Sequence, residues 1–268
     1  MTPAGLSAAD VKACCAAAYS SDAVALVLGD SFHPGGRPLT RRLATVTCLQ
    51  PGERVLDLAS GPGTTALLLA QEFGVTVDGI DLAAASVARA SAAAQAAGLA
   101  ERVRFQLGDA EQLPFPDGAF DAVISECAFC TFPDKPTAAA ELARVLAPGG
   151  RVGLTDVTVS AAGLPPDLAG LAGWVACLAD AIPLDGYADI LAAAGLERLA
   201  AEDHDEALAA MVEQVRARVT VLRSVTRSGA ALQGVDVDRV LQLSAQAATA
   251  VQQGVLGYGL LVAGRRDA

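Results

Sequence analysis

The sequence predicts an α/β fold: a seven-stranded, mostly parallel sheet with N-terminal helices and a helical insertion before the last strand. Three observations carry this reading. Short apolar runs alternate with longer alanine-rich segments of helical character, the rhythm of βαβ units. A glycine-rich turn links the first run to the first of these helices. After Val159 the rhythm gives way to helices, a strand, more helices and a closing strand.

At the front, AADVKACCAAAY (8–19) and the region around LTRRLATVTCL (39–49) read as helices, with HPGGRP between them a turn by composition. RVLDLA (54–59) is the first strand and TTALLLAQEF (64–73) the helix after it. VTVDGID (75–81) is the second strand, followed by a helix that Gly98 stops. RVRFQLGD (102–109) and FDAVISE (120–126) are the third and fourth strands. KPTAAAELARVLAPGG (135–150) is a helix with a Pro-Gly-Gly stop, and RVGLTDVTV (151–159) the fifth strand. LPPDLAGLAGWVACLADAI (164–182) and LDGYADILAAAG (184–195) read as helices, and LERLAAED (196–203) as a sixth strand. A helical stretch from 205 to 254 has a break near Ser228–Gly234, and LGYGLLVAGRR (256–266) closes the sheet. This is a Rossmann-like core at 51–160, a helical cap at 1–50, and substrate-side helices with the final strands of the same domain at 161–268.

Nineteen basic against 30 acidic residues give a net charge of −11. Such a chain repels phosphate backbones and anionic lipid, so neither nucleic acid nor membrane is an expected partner. The apolar stretch at 168–179 is short of the ~20 residues of a spanning helix, and no basic segment followed by an apolar run opens the chain. A cytoplasmic location is expected, with the six cysteines (Cys14, Cys15, Cys48, Cys127, Cys130 and Cys177) as thiols. Two histidines, His33 and His204, exclude a site built from several.

DLASGPG (57–63) joins strand to helix, where glycines allow close backbone approach and the helix start offers unpaired N–H groups. Asp81 ends the second strand, a position from which a carboxylate takes both hydroxyls of a ribose. The GxGxxG spacing of a dinucleotide site and the lysine of a P-loop are both missing. Asp109, in GDAEQLPF, ends the third strand near where an adenine would lie.

DLASGPG, GIDL and GDAEQLPFPDGAFDAVIS together resemble the class I S-adenosylmethionine-dependent methyltransferases over about residues 54–158. Their first motif is usually D-x-G-x-G-x-G, and Ala59 stands in place of the first glycine. The resemblance implies S-adenosylmethionine as cofactor. Its contacts would be Asp57, Ala59, Gly61 and Gly63 in the glycine loop, Asp81 and Leu82 at the ribose, Asp109 and Ala110 at the adenine, and Glu126 at the fourth strand.

ISECAFCTFPDKP (124–136) puts two cysteines at the strand edge that faces a ligand in this topology. Taken alone, each cysteine is best read as a small buried residue, and Cys48 is expected in the core. Zinc needs about four tightly spaced ligands, and a redox CxxC belongs at a helix start in another topology. With the later WVACLADAIPLDGY, however, the segment resembles the arsenite methyltransferases. That resemblance implies that Cys127, Cys177 and an N-terminal thiol hold trivalent arsenic as a thiolate complex. The arsenic lone pair would then attack the sulfonium methyl without a general base. Cys130 has no counterpart, and Glu126 stands where that family often has asparagine.

Cys14 and Cys15 lie about 100° apart on a helix, so one is expected to face the pocket and the other to pack outward. Cys15 is preferred, because it shares an apolar stripe with Val11 and Ala18; Asp10 and Lys12 mark a nearby solvent face. The expected partners are a small-molecule or metalloid substrate and a small thiol reductant. Two alternatives stay open: a methyltransferase for sulfide, small thiols, selenium species or a small organic metabolite, and a metalloid-binding protein without turnover. His33 is read as part of a structural turn approaching the cofactor's methionine end, with a substrate contact as the alternative, and His204 as the solvated start of a helix.

Overall fold

A computed structural model describes residues 7–29, 31–164, 168, 178, 180–225 and 236–266. The sheet grows from β1 (Arg54–Leu58), whose last four residues are buried, as a central strand requires. On one side follow β2 (Thr76–Asp81) and β3 (Val103–Leu107); on the other β4 (Phe120–Glu126), β5 (Leu146–Val159), β7 (Leu256–Arg265) and β6 (Leu196–Asp203). The order is β3-β2-β1-β4-β5-β7-β6. Only β7 runs antiparallel to its neighbours. All seven expected strands are present and the sheet is mostly parallel. Its order reverses at β1, so loops leaving β1 and β4 diverge and open a crevice at their carboxyl ends.

The helices of the core are α4 (Thr64–Phe73), α5 (Ala84–Ala96), α6 (Lys135–Val145) and α7 (Leu184–Ala193); α8 (Asp205–Val225) and α9 (Val237–Gln252) form the insertion before β7. Glycines cap α4 at both ends in the left-handed conformation, Gly63 and Gly74. Asp134 caps α6 by accepting from the Thr137 N–H, and Pro136 sits in its first turn.

Three expectations are corrected. The front holds three helices: α1 (Ala8–Tyr19), α2 (Asp22–Leu28) and α3 (Gly36–Val46). Ser21 caps α2, its side chain accepting from Val24 N–H. The expected helix from Lys135 through Gly150 ends at Val145, and β5 starts at Leu146, carrying Pro148–Gly150 into the strand opposite a bulge at Phe120/Ala122. Cys48 is exposed, not core: it follows α3 with φ 57°, which turns the chain and its side chain out of the apolar face. Most of the helix expected at 164–182, Cys177 included, lies outside the described residues, as does the break near Ser228–Gly234. The described end of the 164–182 segment is not helical, since Ile182 forms an isolated bridge with Thr158.

Gly153 of β5 lies beneath α3. A Cβ there would run into Thr47 Oγ1 and come within 3.0 Å of both Leu43 and Ile124. Gly153→Ala should destabilise the chain by about 1–3 kcal/mol through overpacking, read as a lower urea midpoint at unchanged slope. An unchanged midpoint would mean that α3 is not seated on β5 in this way.

Candidate active site

The crevice at the carboxyl end of β1 is built by backbone first. Ala59 (φ 56°) and Cys127 (φ 55°) are non-glycine residues in left-handed backbone where β1 and β4 leave the sheet. Such a conformation costs an alanine roughly 1 kcal/mol or more, which gives the physical reason for a glycine at position 59 in the motif. Cys127 is held by its N–H, which donates to Thr155 O at 2.7 Å. Thr155 is in turn fixed by the buried Tyr258 hydroxyl, 3.0 Å from its Oγ1.

Four carboxylates line the crevice. Asp57 is buried and its Oδ2 accepts the Ala66 N–H at 3.2 Å. Burial, then the nearby Glu126, pushes its pKa well above the ordinary 3.8. Asp81 is clamped by two backbone donors, Gly61 N–H at 2.9 Å and Ala83 N–H at 2.8 Å. Burial nevertheless raises its pKa. Glu126 accepts from the Thr65 hydroxyl at 2.6 Å and the Thr40 hydroxyl at 3.0 Å. His33 stands beside it, with Nδ1 3.4 Å from Glu126 and 3.1 Å from Pro34 O, and Nε2 3.4 Å from Thr40 Oγ1. Asp109 is bridged by Lys12 Nζ at 2.8 Å, and the same ammonium reaches Glu111.

The structure brings Asp57, Ala59, Gly61, Asp81, Leu82, Asp109, Ala110 and Glu126 to one cleft, together with Cys15 and Cys127. Gly63 stands back from its lining: a Cβ there would strike Phe105 and Ala90, so this glycine lets the start of α4 pack against β3 and α5. Cys177 lies outside the described residues. Among the described residues, no group of three or more His, Cys, Asp or Glu side chains is placed to hold a metal ion. Cys14 does not pack outward as expected but lines a second cavity, and Lys12 is no solvent-face marker. Cys130 is buried, its N–H donating to Asp156.

Sequence reading missed Thr40, Thr65 and Lys12, and favoured a structural turn for His33, which lines the cleft. HPGGRP reads as turn chemistry whether or not its histidine is aimed at β4, and a lysine on an alanine-rich helix reads as solvated. Only pairing across 97 positions reveals Lys12.

This donor set fits the implied cofactor. Both Asp81 oxygens are oriented by backbone N–H groups yet retain lone pairs for a ribose diol. Ser60 Oγ, facing the cleft, is buried without a hydrogen-bond partner. The acidic lining suits a ligand bearing sulfonium and ammonium charges.

Residues 55–150 match the methyltransferase domain family. This segment is a class I S-adenosylmethionine-dependent methyltransferase domain. The chain is 38% identical over 167 residues to a 27-O-demethylrifamycin SV methyltransferase of Amycolatopsis mediterranei, covering 62% of this chain and 61% of that one. It is 37% identical over 164 residues to an arsenite methyltransferase of Halobacterium salinarum, covering 59% and 41%. The chain thus spans 61% and 41% of the length of these two methyltransferase relatives, less than two thirds of either. Among solved structures, the [4+2]-cyclase SpnF superposes with a TM-score of 0.76 at 28% identity, covering 98% of both chains. The whole methyltransferase architecture is therefore shared with a protein named for a different reaction, and fold alone does not dictate the acceptor chemistry.

Two outcomes test the site. Asp81→Ala should weaken S-adenosylmethionine binding by about 1.5–3 kcal/mol, the worth of hydrogen bonds to a charged group; calorimetry with unchanged affinity would remove Asp81 from the ribose. Asp57 has a folded-state pKa above its unfolded value, so the native state holds a proton that the unfolded chain releases. Its contribution to stability is full below the ordinary 3.8 and is lost as pH rises through the raised value. Asp57→Asn keeps the acceptor for Ala66 N–H and removes the buried charge. Its melting temperature should exceed the parent's at about pH 8, the two converging toward about pH 4.

Proposed function

We propose that this chain is an S-adenosylmethionine-dependent methyltransferase whose acceptor is an organic molecule presented at Cys127. The observation that carries this is the doorway formed by Tyr19, Phe32 and Cys127, which line both the acidic cleft and a second, apolar cavity. When bound, S-adenosylmethionine would supply an electrophilic methyl on sulfur; an acceptor lone pair would take it as the carbon–sulfur pair returns to sulfur, and a hydroxyl acceptor would lose its proton to solvent water.

The chain's own residues then have separable tasks. Asp81 orients the ribose, and Asp109 with Ala110 borders the adenine. Lys12 ties α1 across that end of the cleft. Glu126, held by Thr40 and Thr65, offers a fixed negative charge to the cofactor's ammonium, and His33 keeps that carboxylate in place. The Tyr19 and Phe32 rings, 6.4 Å apart, wall the doorway against water. Catalysis here is mainly alignment, an effect that supplies up to roughly 7–11 kcal/mol in favourable cases.

A second reading keeps trivalent arsenic as acceptor, with Cys127, Cys15 and Cys177 as thiolate ligands. Cys15 and Cys127 lining the same cleft favours it.

The chain should be incubated with S-adenosylmethionine and, separately, arsenite, sulfide, small thiols and apolar alcohols and phenols, with methylated products read by mass spectrometry. Organic product alone is the expected result. Under it, Cys127→Ser should keep turnover within about tenfold, because the thiol is no ligand. Arsenite turnover that Cys127→Ser abolishes would replace the organic acceptor by the metalloid. Cofactor binding with no product in any arm would make the chain a non-catalytic binder.

A further inference from the structure

The second cavity is the larger of the two, about 540 Å³. That lies within the ~300–1,000 Å³ range of small-molecule sites, and it is far more than a hydrated arsenite or sulfide ion needs. Most of its walls come from elements outside the cofactor-binding strands and loops. Val24 and Val27 stand on α2, Met211 and Val215 on α8, and Leu243 and Ala247 on α9. Among the described lining residues the only charged side chains are Asp236 and Arg239, both at the start of α9. Asp236 caps that helix, accepting from Arg239 N–H at 2.9 Å, so it is already employed structurally.

The opposite end is Cys127, Tyr19 and Phe32, the border with the acidic cleft. An open chamber of this size lined by valine and leucine leaves apolar surface facing water, which an apolar ligand would cover favourably. A chamber with apolar walls, closed by aromatic rings at one end and touching the cofactor cleft there, has the features of an acceptor pocket.

We infer that this chamber binds an elongated apolar molecule, an aliphatic, isoprenoid or polyketide-like chain, with one nucleophilic end directed past Cys127 to the cofactor cleft. This rests on the methyltransferase reading and deepens it by naming the acceptor's class. Neutral apolar groups fill the walls of α2, α8 and α9, while the acidic cleft takes the cationic cofactor. The two ligands are thereby sorted by charge, each poorly matched to the other's cavity.

The test uses the full chain and Nile red, displaced by straight-chain alcohols from hexanol to dodecanol and by farnesol. If the chamber takes apolar chains, displacement constants tighten by up to about fourfold for each added methylene until its length is filled. Ala247→Phe on α9 and Val215→Phe on α8 should each weaken the longest alcohols by at least tenfold and leave hexanol within threefold. Calorimetry with S-adenosylmethionine on the same samples should show unchanged affinity, which also reports that each variant is folded. The wild-type length series stands by itself if either variant fails to fold. No dependence on chain length, or full retention of the longest alcohols in both folded variants, overturns the inference while cofactor binding leaves the methyltransferase reading intact. Absence of S-adenosylmethionine binding to the wild type overturns the methyltransferase reading itself.

Discussion

The structure depends on how β1 and β4 leave the sheet. The two strands are neighbours, with Leu58 in register with Ser125, and each departs through a left-handed residue, Ala59 and Cys127. Because the strand order reverses at β1, these departures diverge and create the crevice. What holds the strained pair is ordinary packing behind them: the β5 carbonyl of Thr155 takes the Cys127 N–H, and Tyr258 on β7 holds Thr155 from the far side. The antiparallel strand β7 thus supports the crevice from two strands away from β4 in the same sheet.

Around that crevice the molecule separates two environments. On the β1–β2 side, carboxylates and backbone N–H groups meet; Asp57, Asp81 and Glu126 sit close enough that Glu126 and Asp81 both help to raise Asp57's pKa, after burial. On the side of α2, α8 and α9 the walls are aliphatic. Helix α1 lies over the junction. Its Lys12 reaches the acids at the end of β3, Cys15 faces the cleft and Cys14 the chamber. The ~100° between consecutive helical residues thus divides the two thiols between the two environments.

Much of this was legible in the sequence because it rests on local chemistry. DLASGPG and GID announce a βα turn and an acid at a strand end, and Asp81 stands where that pattern puts it. The seven strands follow from apolar runs between turn residues. The misses share another cause. Whether Cys48 is buried depends on one left-handed dihedral after α3, which composition does not reveal. Leu146–Gly150 reads as a helix stop, yet pairing with β4 draws it into β5, a tertiary override of turn propensity. The Glu126, Thr40, Thr65 and His33 cluster joins three segments far apart in sequence, and so does the apolar chamber, where each contributing helix has an unremarkable apolar face.

Methyl transfer to an acceptor in the chamber requires that the cofactor's sulfur face the doorway of Tyr19, Phe32 and Cys127. A crystal structure of the chain with S-adenosylhomocysteine measures this directly. The expected result is both ribose hydroxyls on the Asp81 carboxylate, the amino group near Glu126, and the thioether sulfur open to the chamber past Cys127. A sulfur turned away from that doorway, or a ligand whose ribose lies off Asp81, would contradict it.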